Sequence, residues 1–331
     1  MRRREFMALL GGTAAASSLS SLRAARAQQP AMPVVGFVSS RSPDGSARHA
    51  ATFSKALSEA GYVEGQNVIV EYHWLGGEND RLPSLMANFI RRRVAVIATP
   101  GDPTTLAAKA ATATIPIAFG FSGDPVGHGL VASLARPGGN ATGINFFTSE
   151  VLAKRLGLLH QLVPKAVHVV VLVNPTNIPS AESALRDVPE AARAIGLQIQ
   201  IHKASTSREI EAAFATIALG HADALFVAPD GFFNARRVQF ATLAAHYRIP
   251  AAYAAREFVE TGGLMSYGTD PLDMYRQLGV YTGRILKGAN PADLPVVQST
   301  KFEFVINAQT ARALGLEVPP QLLASVDEVI E

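Results

Sequence analysis

Short apolar runs alternate along this chain with longer segments whose apolar positions recur at helical spacing. Val34-Val35-Gly36-Phe37-Val38 is the first run, and its unbroken apolar character predicts a strand buried on both faces that closes at Ser39-Ser40. A helix is expected from Ser46 to Ala60, with Phe53, Ala56, Leu57 and Ala60 on one face and Gly61 as its stop. Strands at Val68–Tyr72, Val94–Ala98 and Ile115–Phe119 follow, separated by helices over Arg81–Arg92 and Thr104–Ala113. The last of these strands opens into the loop Gly120–Pro125. Such alternation implies a parallel sheet with helices on both faces.

The pattern then begins again. Val167–Val173 is the most apolar strand of the chain and ends in Asn174-Pro175. Helix Ser183–Ile195, strand Leu197–His202, helix Arg208–Leu219, strand Ala224–Ala228, helix Arg236–Tyr247 and strand Ile249–Tyr253 complete the second series. The fourth run starts 81 residues after the first between Val34 and Ile115, and 82 residues after it between Val167 and Ile249. Both fourth runs begin Ile-Pro, so two copies of one α/β unit are the economical reading. A strand at Gly263–Gly268, a helix capped by Asp270-Pro271 and running to Gly288, and a last strand at Lys301–Ile306 are left over. The chain must therefore cross between the units more than once. The expected division is residues 31–147 with 269–296 in one lobe, and 148–268 with 297–331 in the other. Hinges are expected at Phe146–Ser149, Ser266–Asp270 and Pro295–Lys301.

Charge changes the picture only at the amino terminus. The 331 residues carry a formal charge of +3 and a sequence pI near 9.2. Residues 1–27 hold five arginines against the single Glu5, which leaves the rest of the chain at −1. The basic pI is thus no sign of nucleic-acid binding. Met1–Ala27 has a charged start, a weakly apolar middle and Ala25-Arg26-Ala27 at its end, the layout of a secretory leader. Arg3-Arg4-Glu5-Phe6-Met7 adds a twin-arginine pattern, so the twin-arginine export machinery is an expected partner. The expected mature chain begins at Gln28, after cleavage behind Ala27, and works in the periplasm.

Catalytic and metal chemistry find little support. A hydrophobic content of 48% with 17% charged residues excludes a disordered or fibrous chain, and the absence of cysteine excludes disulfides and thiol chemistry. Gly120-Phe121-Ser122-Gly123 starts like a nucleophile elbow, but Asp124 stands where its last glycine belongs. Gly123–Gly129 lacks the Lys-Ser/Thr end of a phosphate loop, and the eight histidines form no metal-binding spacing. No cofactor and no metal are expected. A secreted hydrolase using Ser122, or a periplasmic ligand-sensing module, are the alternatives to a binding protein.

Several segments carry a family resemblance. They are Pro33-Val34-Val35-Gly36-Phe37, Gly123-Asp124-Pro125-Val126, Leu134-Ala135-Arg136-Pro137-Gly138-Gly139-Asn140-Ala141-Thr142-Gly143, Gly262–Gly268 and Lys301–Asn307. In these the chain resembles ABC-transporter substrate-binding proteins of the periplasmic-binding protein type I fold, in particular those related to tryptophan and branched-chain amino-acid binders. The resemblance implies two similar α/β lobes joined by three crossovers, a small-molecule ligand in the cleft, delivery to a membrane permease, and no catalysis. Hinge closure on the ligand and a monomeric protein are expected with it.

Ligands of open α/β sheets bind beyond the carboxyl ends of the strands. The candidate wall of the first lobe is Ser39, Ser40, Thr99, Gly101, Phe121, Ser122 and Gly123. Facing it are Asn174, Asp230, Tyr253 and Arg256, with Tyr267 near a crossover. Thr99 and Ser122 suggest a neutral cradle for a carboxylate, Asp230 a partner for an ammonium, and Phe121, Tyr253 and Tyr267 apolar cover. The expected ligand is an amino acid with an aromatic or branched aliphatic side chain; entry of Arg256 in place of Asp230 would favour a plain carboxylic acid.

Overall fold

A computed structural model describes residues 32–146 and 149–331, so the leader and its cleavage point lie outside the described residues. The first sheet contains β1 (Val34–Ser39), β2 (Ile69–Trp74), β3 (Val96–Pro100), β4 (Ile117–Phe121), β5 (Ala141–Asn145) and the short β11 (Val297–Gln298). Their order is β11-β5-β4-β3-β1-β2, and every neighbouring pair is parallel. Helices α1 (Ala47–Glu59) and α10 (Pro271–Leu286) cover one face; α2 (Leu82–Arg92) and α3 (Asp102–Ala111) cover the other.

The second sheet contains β6 (His168–Val173), β7 (Gln198–Lys203), β8 (Ala224–Val227), β9 (Ala251–Tyr253), β10 (Met265–Thr269), β12 (Phe302–Asn307) and β13 (Glu328–Ile330). Their order is β13-β12-β10-β9-β8-β6-β7. Val169, Val171 and Val173 of β6 pack into one core with α4 (Ser149–Leu162) and α5 (Ile178–Ala194). Val170 and Leu172 pack into the opposite core with α6 (Ser207–Leu219) and α8 (Arg237–Tyr247). A strand buried on both faces needs apolar residues at every position, which is why this run is so uniformly aliphatic. Two short helices, α7 (Gly231–Ala235) and α9 (Arg256–Glu260), follow β8 and β9 at their carboxyl ends. Small helices α11 (Ala308–Ala313) and α12 (Pro320–Leu323) complete this lobe. Among the described residues, no helix is long and apolar enough to cross a membrane.

The chain passes between the sheets three times: between β5 and α4, between β10 and α10, and between β11 and β12. Val297 and Gln298, expected in the second lobe, instead pair with Ile144 and Asn145 of the first. The chain therefore leaves the first sheet later than the sequence suggested. It enters the second sheet from the opposite end, so β12 lies antiparallel to β10 while the pairs β6 to β10 stay parallel.

Two strands are displaced by two residues from their expected positions, to Val96–Pro100 and Ile117–Phe121. Arg93 adopts a left-handed conformation with φ of 52° and the Val94 amide bonds back to the Phe89 carbonyl, so Val94 belongs to the end of α2. Pro116 has no N–H to give, and the β4 ladder opens with Ile117 donating to the Asn140 carbonyl. Strand β5 had no apolar run to announce it. Its Gly143 lies so close to β4 that an added Cβ would sit 2.0 Å from the Phe119 carbonyl oxygen.

Helix α10 starts as its sequence requires, with the Asp270 side chain accepting from the Leu272 and Asp273 amides and Pro271 at the first position. It packs on α1 through glycines: a Cβ on Gly279 would lie 2.5 Å from the Phe53 carbonyl oxygen. Gly157 of α4, by contrast, faces open space. Alanine at both positions therefore separates packing from helix propensity. Gly157→Ala should stabilise by about 0.5–1 kcal/mol, and Gly279→Ala should destabilise by about 1–3 kcal/mol despite the same propensity gain. Thermal melts of the two variants shifting in the same direction would contradict this packing.

Candidate ligand-binding cleft

The carboxyl ends of the two sheets face one another across a cleft that holds a cavity of about 160 Å³. The first lobe contributes Ser40 and Arg41 after β1, Pro100–Pro103 after β3, Ser122 after β4, Phe146 after β5, and Pro271, Met274 and Tyr275 of α10. The second contributes Val151 and Arg155 of α4, Asn177, the stretch Val227–Gly231 with Asn234, Ala254 and Ala255 with Phe258 of α9, and Gly268 and Thr269. The wall is mainly apolar, with four charged side chains set into it: Arg41, which pairs with Glu257, and Asp102, Asp230 and Arg155.

Asp102 stands at the first position of α3 and is 3% exposed. Its Oδ1 accepts from the Ser122 amide at 2.7 Å, and its Oδ2 accepts from the Ser122 hydroxyl. Burial raises its carboxyl to about 6 against the pull of those hydrogen bonds, and the negative charge of Asp230 adds to the rise. Asp230 caps α7: one oxygen accepts from the Phe233 amide at 2.9 Å and from Asn174 Nδ2 at 3.1 Å, the other from Asn177 Nδ2 at 3.0 Å. Burial raises this carboxyl too, in spite of the three donors. Arg155 is 1% exposed. Its Nε donates to the Tyr267 carbonyl at 2.6 Å and its Nη1 to the Val227 carbonyl at 3.4 Å, with the guanidinium over the Phe226 ring. Burial lowers its pKa to about 9. Among the described residues, no side chain of opposite charge forms an ion pair with any of these three groups. Two amide atoms of the wall, Asn177 Oδ1 and Asn234 Nδ2, are also buried without a partner.

Of the residues expected in the wall, Ser40, Gly101, Ser122 and Asp230 line the cavity. The two-residue shift of β3 and β4 explains two that do not. Thr99 becomes a fully buried strand residue whose hydroxyl takes a hydrogen bond from Thr105 at 2.9 Å, and Phe121 becomes part of the core beside Phe119. The neutral hydroxyl cradle expected from Thr99 and Ser122 is thus absent, because Ser122 is engaged by a buried acid. Ser39 is buried and accepts from the Arg41 amide. Gly123 lies where the lobes touch, with room for no Cβ beside Pro179. Asn174 stands behind Asp230 as one of its donors. Tyr253 is fully buried, stacked on Phe258 at 4.4 Å, so it backs the wall rather than facing the ligand space. Arg256 points away, binding Glu260, Glu303 and Glu328 and so tying α9 to β12 and β13. Tyr267 contributes its carbonyl to Arg155, while its ring stacks on Phe302.

Sequence reasoning missed Asp102, Arg155, Phe146, Phe258 and Tyr275. A signal for Arg155 was present: it lies four residues from both Val151 and Leu159, on the face that α4 buries. An arginine on a buried helix face is a site candidate until a partner is found. Among the described residues, no group of three histidines or acids could hold a metal ion.

Two α/β lobes with a cleft between their strand ends define the type I periplasmic-binding architecture, and solved structures agree. A conserved domain protein from Vibrio cholerae O1 biovar El Tor superposes with a TM-score of 0.84 at 25% identity, covering 90% of this chain and 99% of that one. An ABC domain from Streptococcus pneumoniae in complex with L-Trp gives a TM-score of 0.83 at 22% identity over 91% and 100%. The ligand-free, open structure of a substrate-binding protein with adhesive properties from Clostridium difficile gives 0.63 at 25% identity over 90% and 99%. The tyrosine-binding protein of Clostridioides difficile (strain R20291) is 29% identical over 269 residues, which are 80% of this chain and 76% of the relative. The family model for ABC transporter substrate binding proteins matches residues 33–330, and the chain belongs to that family. Its members bind substrates and are not enzymes, so the hydrolase reading of Ser122 falls away.

The raised carboxyl of Asp102 has a consequence for stability. The folded chain holds this proton more tightly than the unfolded chain, whose carboxyl titrates near 3.8. Stability should fall as pH rises from about 4 to about 6, and the full cost, about 3 kcal/mol, persists above that. Asp102→Asn should therefore raise the melting temperature of the ligand-free protein at pH 7.5 and flatten its dependence on pH over this window. A variant that melts lower at pH 7.5 with the slope intact would contradict the burial argument.

Proposed function

We propose that the protein captures a free aromatic amino acid outside the cytoplasm and delivers it to the permease of an ABC importer. In this reading Arg155 takes the carboxylate, Asp102 and Asp230 take the ammonium from opposite lobes, and Phe146, Phe258 and Tyr275 cover the side chain. The observation that carries it is the presence of an acid from each lobe and one buried arginine, none of them ion-paired among the described residues, in a mainly apolar cavity. An unpaired buried charge costs several kcal/mol, and a zwitterion supplies one counter-charge of each sign. The tyrosine-binding relative and the L-Trp complex support an aromatic side chain.

The remaining parts of the reading follow from the family and the leader. Family members are typically extracytoplasmic. The Arg3-Arg4 leader is read as a twin-arginine address removed after Ala27, which sends the chain to the periplasm as a monomer. The lobes divide where the chain changes sheets, and bending there closes the cleft on the ligand.

Titration calorimetry of the mature chain against the twenty amino acids and the deaminated analogues of tyrosine and tryptophan tests this directly. L-Tyrosine or L-tryptophan should bind, and Arg155→Met should weaken binding by about 100-fold or more, since the ligand carboxylate loses its buried, unpaired counter-charge. Asp230→Asn should weaken the amino acid but not its deaminated analogue. Deaminated acids binding as tightly as the parent amino acids would reject the zwitterion reading.

A further inference from the structure

Beside the three unpaired charges of the cavity, one rim of the cleft holds an ionic cluster that spans the lobes. Arg41, in the loop after β1, donates from Nη2 to Glu257 Oε1 of α9, a residue 216 positions away in the other lobe. His49 Nε2 of α1 lies 3.3 Å from the same oxygen. The side chains of Arg41, Glu257 and His49 are only 14%, 11% and 4% exposed. Burial opposes the charge on Glu257, yet Arg41 and His49 hold its carboxyl below the usual carboxylate range. Backbone is pressed together around the cluster: a Cβ on Gly77 would lie 2.5 Å from the Phe232 ring, and one on Gly231 would lie 3.1 Å from Ser40 Cβ. Every one of these contacts joins one lobe to the other.

We propose that Arg41, Glu257 and His49 form a clasp that exists only when the lobes are together and that governs how long the cleft retains its ligand. Arg41 lines the cavity whereas Glu257 does not, so Glu257 is a positioning residue that acts through Arg41. Opening hydrates all three groups, so the pair contributes to the closed form alone, and a contact with one state shifts the balance between the two. Two other ion pairs among the described residues join the lobes: His128 with Glu182 at 3.7 Å, which is far more exposed and adds little, and Lys301 with Asp273 at 3.4 Å, which sits where the chain itself crosses. Within the clasp, Arg41 Nε, His49 Nδ1 and Glu257 Oε2 are buried without partners. A cluster left partly unsatisfied is a poor permanent brace and suits a contact that must break at each release.

The clasp can be tested with and without a ligand. The chain has no cysteine, so labels at Lys55→Cys and Leu219→Cys, exposed positions on opposite lobes, report the lobe separation cleanly. In ligand-free protein, Glu257→Ala and, independently, Arg41→Ala should each shift the label distances towards the separated form. The swapped pair Arg41→Glu with Glu257→Arg should restore the closed fraction. With L-tyrosine and L-tryptophan as probes, each single variant should raise the dissociation rate on the order of 10–100-fold with little change in association rate. Unchanged label distances in both single variants, or a swap that behaves no better than they do, would overturn the clasp. Failure of both amino acids to bind would reject the ligand assignment, while the label distances would still decide the clasp.

Discussion

The structure turns on three buried charges that form no ion pair among the described residues. Asp102, Asp230 and Arg155 line one cavity, each held by neutral donors or acceptors and none by a counter-ion among the described residues. Burial works against all three, raising the acids and lowering the arginine. Such an arrangement is unfavourable for the empty protein and favourable for a ligand that brings both signs of charge. The two-lobed plan suits the proposed closure, in which these charges are hydrated while the cleft is open and dehydrated once it is shut.

Rigid lobes make that exchange possible. Each sheet is buried on both faces, with alternate β6 residues entering separate cores, so the strand ends present their loops from a fixed platform. Close helix contact through Gly279 and Gly283 holds α10, which carries Met274 and Tyr275 into the cleft, against α1. In the proposed closure, motion is left to the three segments where the chain changes sheets. Arg256 illustrates the division of labour: its three carboxylate partners lock α9 to the edge of the second sheet, next to Glu257, which reaches across to the first lobe.

Most of the fold was legible in the sequence, because doubly buried strands must be apolar throughout and the helices between them carry clear stops. The duplicated order of elements, the Asp270-Pro271 helix start and the repeated crossing between lobes could all be read from residues alone. The site was less legible. A displacement of two residues in β3 and β4 was enough to move Thr99 and Phe121 from the cleft into the core. Strand β5 was hidden because close approach to β4 demands Gly143 where an apolar residue would have marked it. Tyr253 and Arg256 stood at the correct end of the sheet, but the direction of a side chain is set by packing, against Phe258 in one case and three carboxylates in the other. Asp230 survived because a cap residue at a strand end is fixed to the cleft by its own backbone role.

In the proposed binding mode the ligand's ammonium completes the charge of the two acids. Calorimetric titration with L-tyrosine and L-tryptophan at pH 6, in buffers of differing ionisation enthalpy, counts the protons exchanged on binding. With Asp102 titrating near 6 in the empty cleft, an arriving ammonium should favour its charged form and release a fraction of a proton per ligand bound. Binding that takes up protons, or that exchanges none at this pH, would contradict the account.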